Sequence, residues 1–329
     1  MPEAETTEAA KPRRSLLAFI FISGDERRLR AGWRLLIHTI WLVVLLVVLG
    51  LVLGLALSLL TLLIGFDPTT LIGQSTAAVV LDTSLMLVVF TTVTWAARRF
   101  LDRRSFVSLG FTLDRHTLPD LLFGIGLGGL LMALIYAFES AVGWLTFQGW
   151  AWQRPGAVVI GPLLLALFQY LAVGYYEELF SRGYHLQNLT DGLNLPWGIF
   201  LSSAVFSLLH LLNPNRSVFS VIGILAAGFF LAYGWVRTRR LWIPIGIHIG
   251  WNFFQGTVFG FPVSGDMEGF HLILQTVTGP RWITGGVFGP EAGLTGLVAC
   301  ALGTALIWLY TQRRTPQATP DAAPAAPKE

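Results

Sequence analysis

The chain has 329 residues, of which 54% are hydrophobic and 12% charged, about half the charged share of roughly 25% found in soluble domains. A mean hydropathy of +0.64 excludes an ordinary soluble globule. The single cysteine, Cys300, excludes a disulfide framework and a multi-cysteine metal site, and the net charge of +3 sits at the ends of apolar blocks, which argues against nucleic acid as a partner.

At the start, Lys11, Arg13 and Arg14 precede a short apolar run that ends in Gly-Asp-Glu-Arg-Arg with no small-residue cleavage site. Residues 1–32 therefore read as a cytosolic or interfacial segment and not as a signal peptide. Apolar blocks long enough to cross a bilayer follow at 33–64, 77–97, 120–147, 158–189, 196–212, 217–236, 241–261 and 291–312. The expected fold is all-α, a polytopic bundle of about eight transmembrane helices. The N-terminal helices fill 33–157, a core occupies 158–261, and an outer loop with the last helix occupies 262–312. The tail, 313–329, is rich in Pro and Ala and is expected to be disordered. Gly124, Gly126, Gly128 and Gly129 crowd the third block, where small residues let helices approach closely.

Lysine and arginine set the orientation. Eighteen fall in the N-terminal segment, the loops after the second and sixth blocks and the C-terminal tail; the opposite loops hold only Arg154, Arg216 and Arg281. Both termini are thus expected in the cytosol.

Ionisable groups at bilayer depth need a reason. Asp82, Glu139, His38 and His271 lie toward block ends or loops and read as interfacial or structural. The fourth block is different. It carries Glu177 and Glu178 side by side, then Arg182. Glu178 and Arg182 are spaced i,i+4 and can pair on one helix face. Glu177 points about 100° away and is free to face something else. The fifth block carries His210 after Phe206; the seventh carries His248 and Asn252 at i,i+4. Counted at 1.5 Å per residue from the neighbouring turns, these side chains reach a common layer. A carboxylate beside an imidazole can deprotonate water, and an imidazole with an amide can donate to an oxyanion. Alternatively, Glu177, His210 and His248 can hold a zinc ion with water in the fourth position. The residues leave both readings open. Neither His-Glu-x-x-His nor Gly-x-Ser-x-Gly occurs, and the only lysines, Lys11 and Lys328, lie in the tails, which disfavours a Ser–Lys hydrolase.

The order Glu177-Glu178-x-x-x-Arg182, Phe206-x-x-x-His210, His248-x-x-x-Asn252 resembles the CAAX protease and bacteriocin-processing (CPBP) family, intramembrane proteases of the Ras-converting CAAX endopeptidase type. The resemblance implies a helical bundle with a cavity open to the cytosol. It implies that Glu177 activates water with His210, that His248 and Asn252 stabilise the oxyanion, and that Glu178 and Arg182 support the site. It implies a peptide or protein substrate, lipidated in the best-known case, entering from the cytosolic side of a membrane such as the bacterial inner membrane. Both metal-dependent and metal-free mechanisms are described for the family. A chemistry without a cofactor is favoured here, because Asn is a poor zinc ligand and suits an oxyanion hole. A non-catalytic membrane or immunity-type partner is the first competing reading, and a proton-coupled transporter the second, although no internal repeat supports the latter.

Overall fold

An apolar segment without water must satisfy its own backbone, so long hydrophobic blocks become helices. The computed structural model describes residues 20–23, 28–65 and 75–314; most of the expected N-terminal segment and the tail from 315 lie outside them. Helix α1 spans Ala31–Ile64, about 50 Å at 1.5 Å per residue. Only Ala31, Arg34, His38 and Leu42 of it are buried, and Leu62 is 79% exposed, as a lipid-facing helix requires. Helix α2, Thr76–Ala96, starts at a Ser75 cap and continues into a π-turn at Ala97–Leu101. Helix α3 is Thr117–Ala141.

The core follows. Helix α4, Ile160–Glu178, runs through a π-turn, Leu179–His185, into α5, Leu186–Gly192. Asn194 caps α6, Leu195–Leu209, by accepting from the Trp197 N–H. Ser217 and Ser220 form a reciprocal cap on α7, Val218–Thr238. Helix α8, Trp242–Asn252, passes into a third π-turn, Phe253–Val258. Helix α9 is Leu294–Thr311.

Six helical segments are long and apolar enough to cross a membrane: Ala31–Ile64, Thr76–Leu101, Thr117–Ala141, Leu195–Leu212, Val218–Thr238 and Leu294–Thr311. The two remaining expected spans, 158–189 and 241–261, are present as helices outside this set. One is diluted by glutamates and tyrosines, and the other is short; these are the helices that carry most of the polar core residues. The expectation of a purely helical fold needs one correction. The third block stops at Ala141 and not at 147: Gly143 takes a positive φ of 76°, and Leu145–Trp150 forms strand β1, antiparallel to β2, Ile273–Val277. Phe147, Trp150, Ile273 and Val277 are the β-branched and aromatic residues that favour strands.

Glycine spacing brings α3 and α8 into backbone contact. A Cβ on Gly124 would lie 2.6 Å from the Ile243 carbonyl oxygen, and one on Gly128 would lie 2.3 Å from the Trp251 nitrogen. From the other side, a Cβ on Gly246 would lie 2.3 Å from the Leu121 carbonyl oxygen, and one on Gly250 would lie 2.2 Å from that of Ile125. Two small-xxx-small pairs thus face each other. Gly126 has nothing within 4 Å and points away. Gly174 of α4 packs on Ile249 of α8, where a Cβ would lie 2.6 Å from its Cγ1 and 3.1 Å from its nitrogen. Helix α8 is therefore held at fixed height between α3 and α4.

The arginines at one end do more than orient the chain. Asp102, fully buried, accepts from Arg34 and Arg98 at 2.8 Å each and from Asn188 at 3.3 Å, which ties α1, α2 and α5 together. His38, expected to be unremarkable, is buried against Tyr184, ring centroids 4.2 Å apart, and bonds Thr94. Glu139, expected at an interface, is wholly buried.

In the loop before α3, Arg240 clasps Asp114 through both guanidinium nitrogens. These hydrogen bonds hold the Asp114 carboxyl well below the usual range. Its folded-state pKa lies under the unfolded value near 4, so the stabilisation is present at neutral pH and is lost as pH falls below that value. Asp114 is exposed, and solvent screening keeps the effect small. Asp114→Asn is expected to lower the midpoint of thermal unfolding slightly at pH 7, with the gap to wild type closing as the scan is repeated below pH ~4.

Candidate active site

The site begins where α4 gives way to its π-turn. Such one-turn widenings often accompany functional positions, and two of the three among the described residues follow Glu178 and Asn252 directly. Glu178 is fully buried. Its Oε1 accepts from Arg182 Nη1 at 2.7 Å and from His248 Nδ1 at 2.9 Å. An ionised carboxylate only accepts, so Nδ1 of His248 carries a proton and Nε2 is left to face the cavity. Oε2 of Glu177 lies 3.7 Å from Nε2. That Glu177 oxygen is buried and takes no hydrogen bond from the described residues. It is an acceptor with its lone pairs available, although Glu177 is not among the residues that line the cavity His248 lines.

Arg182 also donates to the Gly228 carbonyl at 3.2 Å, and its guanidinium lies 4.4 Å above the Phe206 ring. Phe206 in turn packs its ring 4.6 Å from His210 and 6.2 Å from His248. One aromatic ring thus separates and orients the three basic side chains. His210 ends α6, and its Nδ1 is tied to the Phe206 carbonyl at 2.8 Å. Its Nε2 makes no hydrogen bond among the described residues.

A cavity of about 40 Å³ is lined by His210, His248, Asn252, Ser264 and Glu291 over an apolar floor that includes Ile224 and Phe230. That volume admits one or a few waters. The structure thus brings His210, His248 and Asn252 to one cavity and sets Glu177 against His248. The nearest imidazole to Glu177 is that of His248; no ion pair joins Glu177 to His210 among the described residues. Glu177, His210 and His248 also form no three-sided ligand set. Among the described residues no group of three His, Cys, Asp or Glu that could hold a metal ion occurs.

Two cavity residues escaped the sequence reading. Glu291 is buried; its Oε2 accepts from the Ser264 N–H at 2.7 Å and its Oε1 from the Ser264 hydroxyl at 3.2 Å. It reaches the cavity because a short turn, Pro290–Ala292, packs on α7 at Gly223, where a Cβ would lie 1.6 Å from the Glu291 carbonyl oxygen. A Gly-Pro-Glu-Ala turn ahead of an apolar block was the available signal, but it carries no helical spacing to relate it to the other motifs.

The Glu178–Arg182 pair predicts a stability effect. Arg182→Leu leaves Glu178 buried with His248 as its one remaining donor, and removing one partner of a buried pair costs about 3–5 kcal/mol. Unfolding of the purified protein in detergent is expected at markedly lower temperature. The double variant Glu178→Gln/Arg182→Met recovers part of the loss, because no uncompensated charge remains.

Taken together, the helices and the buried acid–imidazole cluster define an integral membrane protein with a polar site inside its bundle. Residues 159–254, less than a third of the chain, match the Rce1-like family model, described as type II CAAX prenyl endopeptidase. No curated protein and no solved structure matches the chain. The matched segment covers α4 to α8 and includes Glu177, Glu178, Arg182, His210, His248 and Asn252.

Proposed function

We propose that this protein is an intramembrane endopeptidase that hydrolyses a peptide bond with water activated by Glu177. The observation that carries the reading is the unpartnered Glu177 oxygen, buried beside His248, a residue that lines the cavity. A carboxylate placed so can take a proton from water as the water attacks a carbonyl carbon. His210 lines the cavity, and its Nε2 serves to share the water proton and return it to the leaving amine. The Asn252 carboxamide and the His248 ring, protonated on both nitrogens so that Nε2 donates, stabilise the oxyanion, and Glu178 and Arg182 hold His248 in position. Both termini and the arginine-rich end face the cytosol in this reading. The substrate is a peptide or protein segment reaching the site from that side.

No step is routed through a metal, and a chelator is expected to leave the rate unchanged. The test uses purified full-length protein in nanodiscs with a peptide panel, each peptide prenylated and unmodified. Asn252→Ala is expected to lower kcat about 10²–10³-fold, the usual loss for one oxyanion donor. Wild-type kcat in that variant would overturn the assignment. Cleavage restored by zinc after chelation would overturn the metal-free chemistry.

A further inference from the structure

At the arginine-rich end a second cavity, about 300 Å³, lies where three apolar helices stop together. Helix α3 begins at Thr117, α7 ends at Thr238 and α9 ends at Thr311. Helices long and apolar enough to cross a bilayer end where hydrocarbon gives way to headgroups. Immediately along the same helices, Leu118, Leu122, Trp308 and Leu309 are exposed, as side chains facing acyl tails are.

The cavity wall holds Arg115, Arg237, Arg240, Arg313 and Arg314 against one carboxylate, Asp120. Asp120 accepts from Arg314 and from Tyr310. Asp114, outside the wall, clasps Arg240. Arg237 is held by the Thr311 hydroxyl and carbonyl at 2.9 and 3.0 Å, which fixes its position without cancelling its charge. Arg115 and Arg313 have no carboxylate partner among the described residues. Five guanidinium groups against two carboxylates leave three positive charges around one space, with His116 beside them. Charge that merely orients a membrane protein needs no common cavity and no arginine pinned in its wall.

We propose that this cavity binds the phosphate of an anionic phospholipid headgroup. Guanidinium groups match phosphate oxygens in pairs, and basic pockets between helices on this side of a bilayer take such headgroups. The acyl chains then lie along the exposed apolar flanks of α3 and α9. The shared chemistry is a phosphate oxyanion, and a free phosphate is the other source.

Purified wild type and the double variant Arg115→Gln/Arg313→Gln, both full length, are titrated with dioctanoyl phosphatidylglycerol, dioctanoyl phosphatidylcholine and inorganic phosphate. Binding is read by native mass spectrometry and thermal shift. Neither substituted arginine has an ion-pair partner to strand, and an unchanged melting midpoint without lipid verifies the variant's fold. The wild type is expected to retain phosphatidylglycerol over phosphatidylcholine. The double variant is expected to bind it about 30-fold more weakly, one interfacial charge being lost per arginine. Equal affinity in both proteins, or no preference between the two lipids, would overturn the proposal. Inorganic phosphate competing at the same concentration as phosphatidylglycerol would overturn the lipid source.

Discussion

Peptide cleavage is expected to fall about 10²–10⁴-fold in Glu177→Gln, the usual contribution of a general base, while the protein still inserts and melts as wild type does. Glutamine keeps the shape and removes the basicity. The existing environment tolerates the change: the Glu177 oxygen beside His248 has no hydrogen-bond partner to lose among the described residues, and the ion pair that anchors the helix belongs to Glu178. His210→Ala is expected to show a comparable loss. Its ring bonds only the carbonyl of its own helix, so little structure depends on it. Initial rates on one peptide, measured beside thermal midpoints for all three proteins, separate chemistry from folding. A variant that keeps both its rate and its fold would remove that residue from the mechanism.

Gly128→Leu and Gly250→Leu are expected to give the largest structural effects. At each position a Cβ alone falls within about 2.3 Å of the backbone of the facing helix, and backbone cannot swing aside as a side chain can. Helices α3 and α8 would have to separate or slide. Overpacking in a close-packed interior costs about 1–3 kcal/mol, occasionally more. Activity is lost beyond that, because α8 carries His248 and Asn252 and a displacement near 1 Å can cost about 10²-fold in rate. Gly126→Leu is the matched control. It lies on the same helix with open space around it, and wild-type stability and cleavage are expected. Heat denaturation and cleavage measured on the three variants decide the matter.

Much of this arrangement was legible in the residues. Hydropathy located every long helix, because a bilayer demands uninterrupted apolar length. The i,i+4 spacing of Glu178 and Arg182 corresponds to a 2.7 Å contact, since local helix geometry survives tertiary packing. What spacing could not supply was rotation between helices. It placed Glu177, His210, His248 and Asn252 in one layer, and only the structure shows that α8, packed through Gly246 and Gly250 against α3, turns His248 toward both glutamates. The same limit hid Glu291 and Ser264, which come from irregular chain where no period exists to extrapolate. The β1–β2 pair was missed because an apolar run of mixed aromatic and β-branched residues does not distinguish a helix end from a strand. Glycine density in the third block announced close packing, but the partner of Gly124 and Gly128 could be identified only in three dimensions.

The most direct measurement is single-turnover cleavage by the wild-type protein in ¹⁸O-water, with hydroxylamine present to trap any acyl-enzyme. Water attack assisted by Glu177 predicts one ¹⁸O in the new carboxylate of the product and no peptide hydroxamate. A hydroxamate, or a peptide fragment bound covalently to the protein, would contradict it.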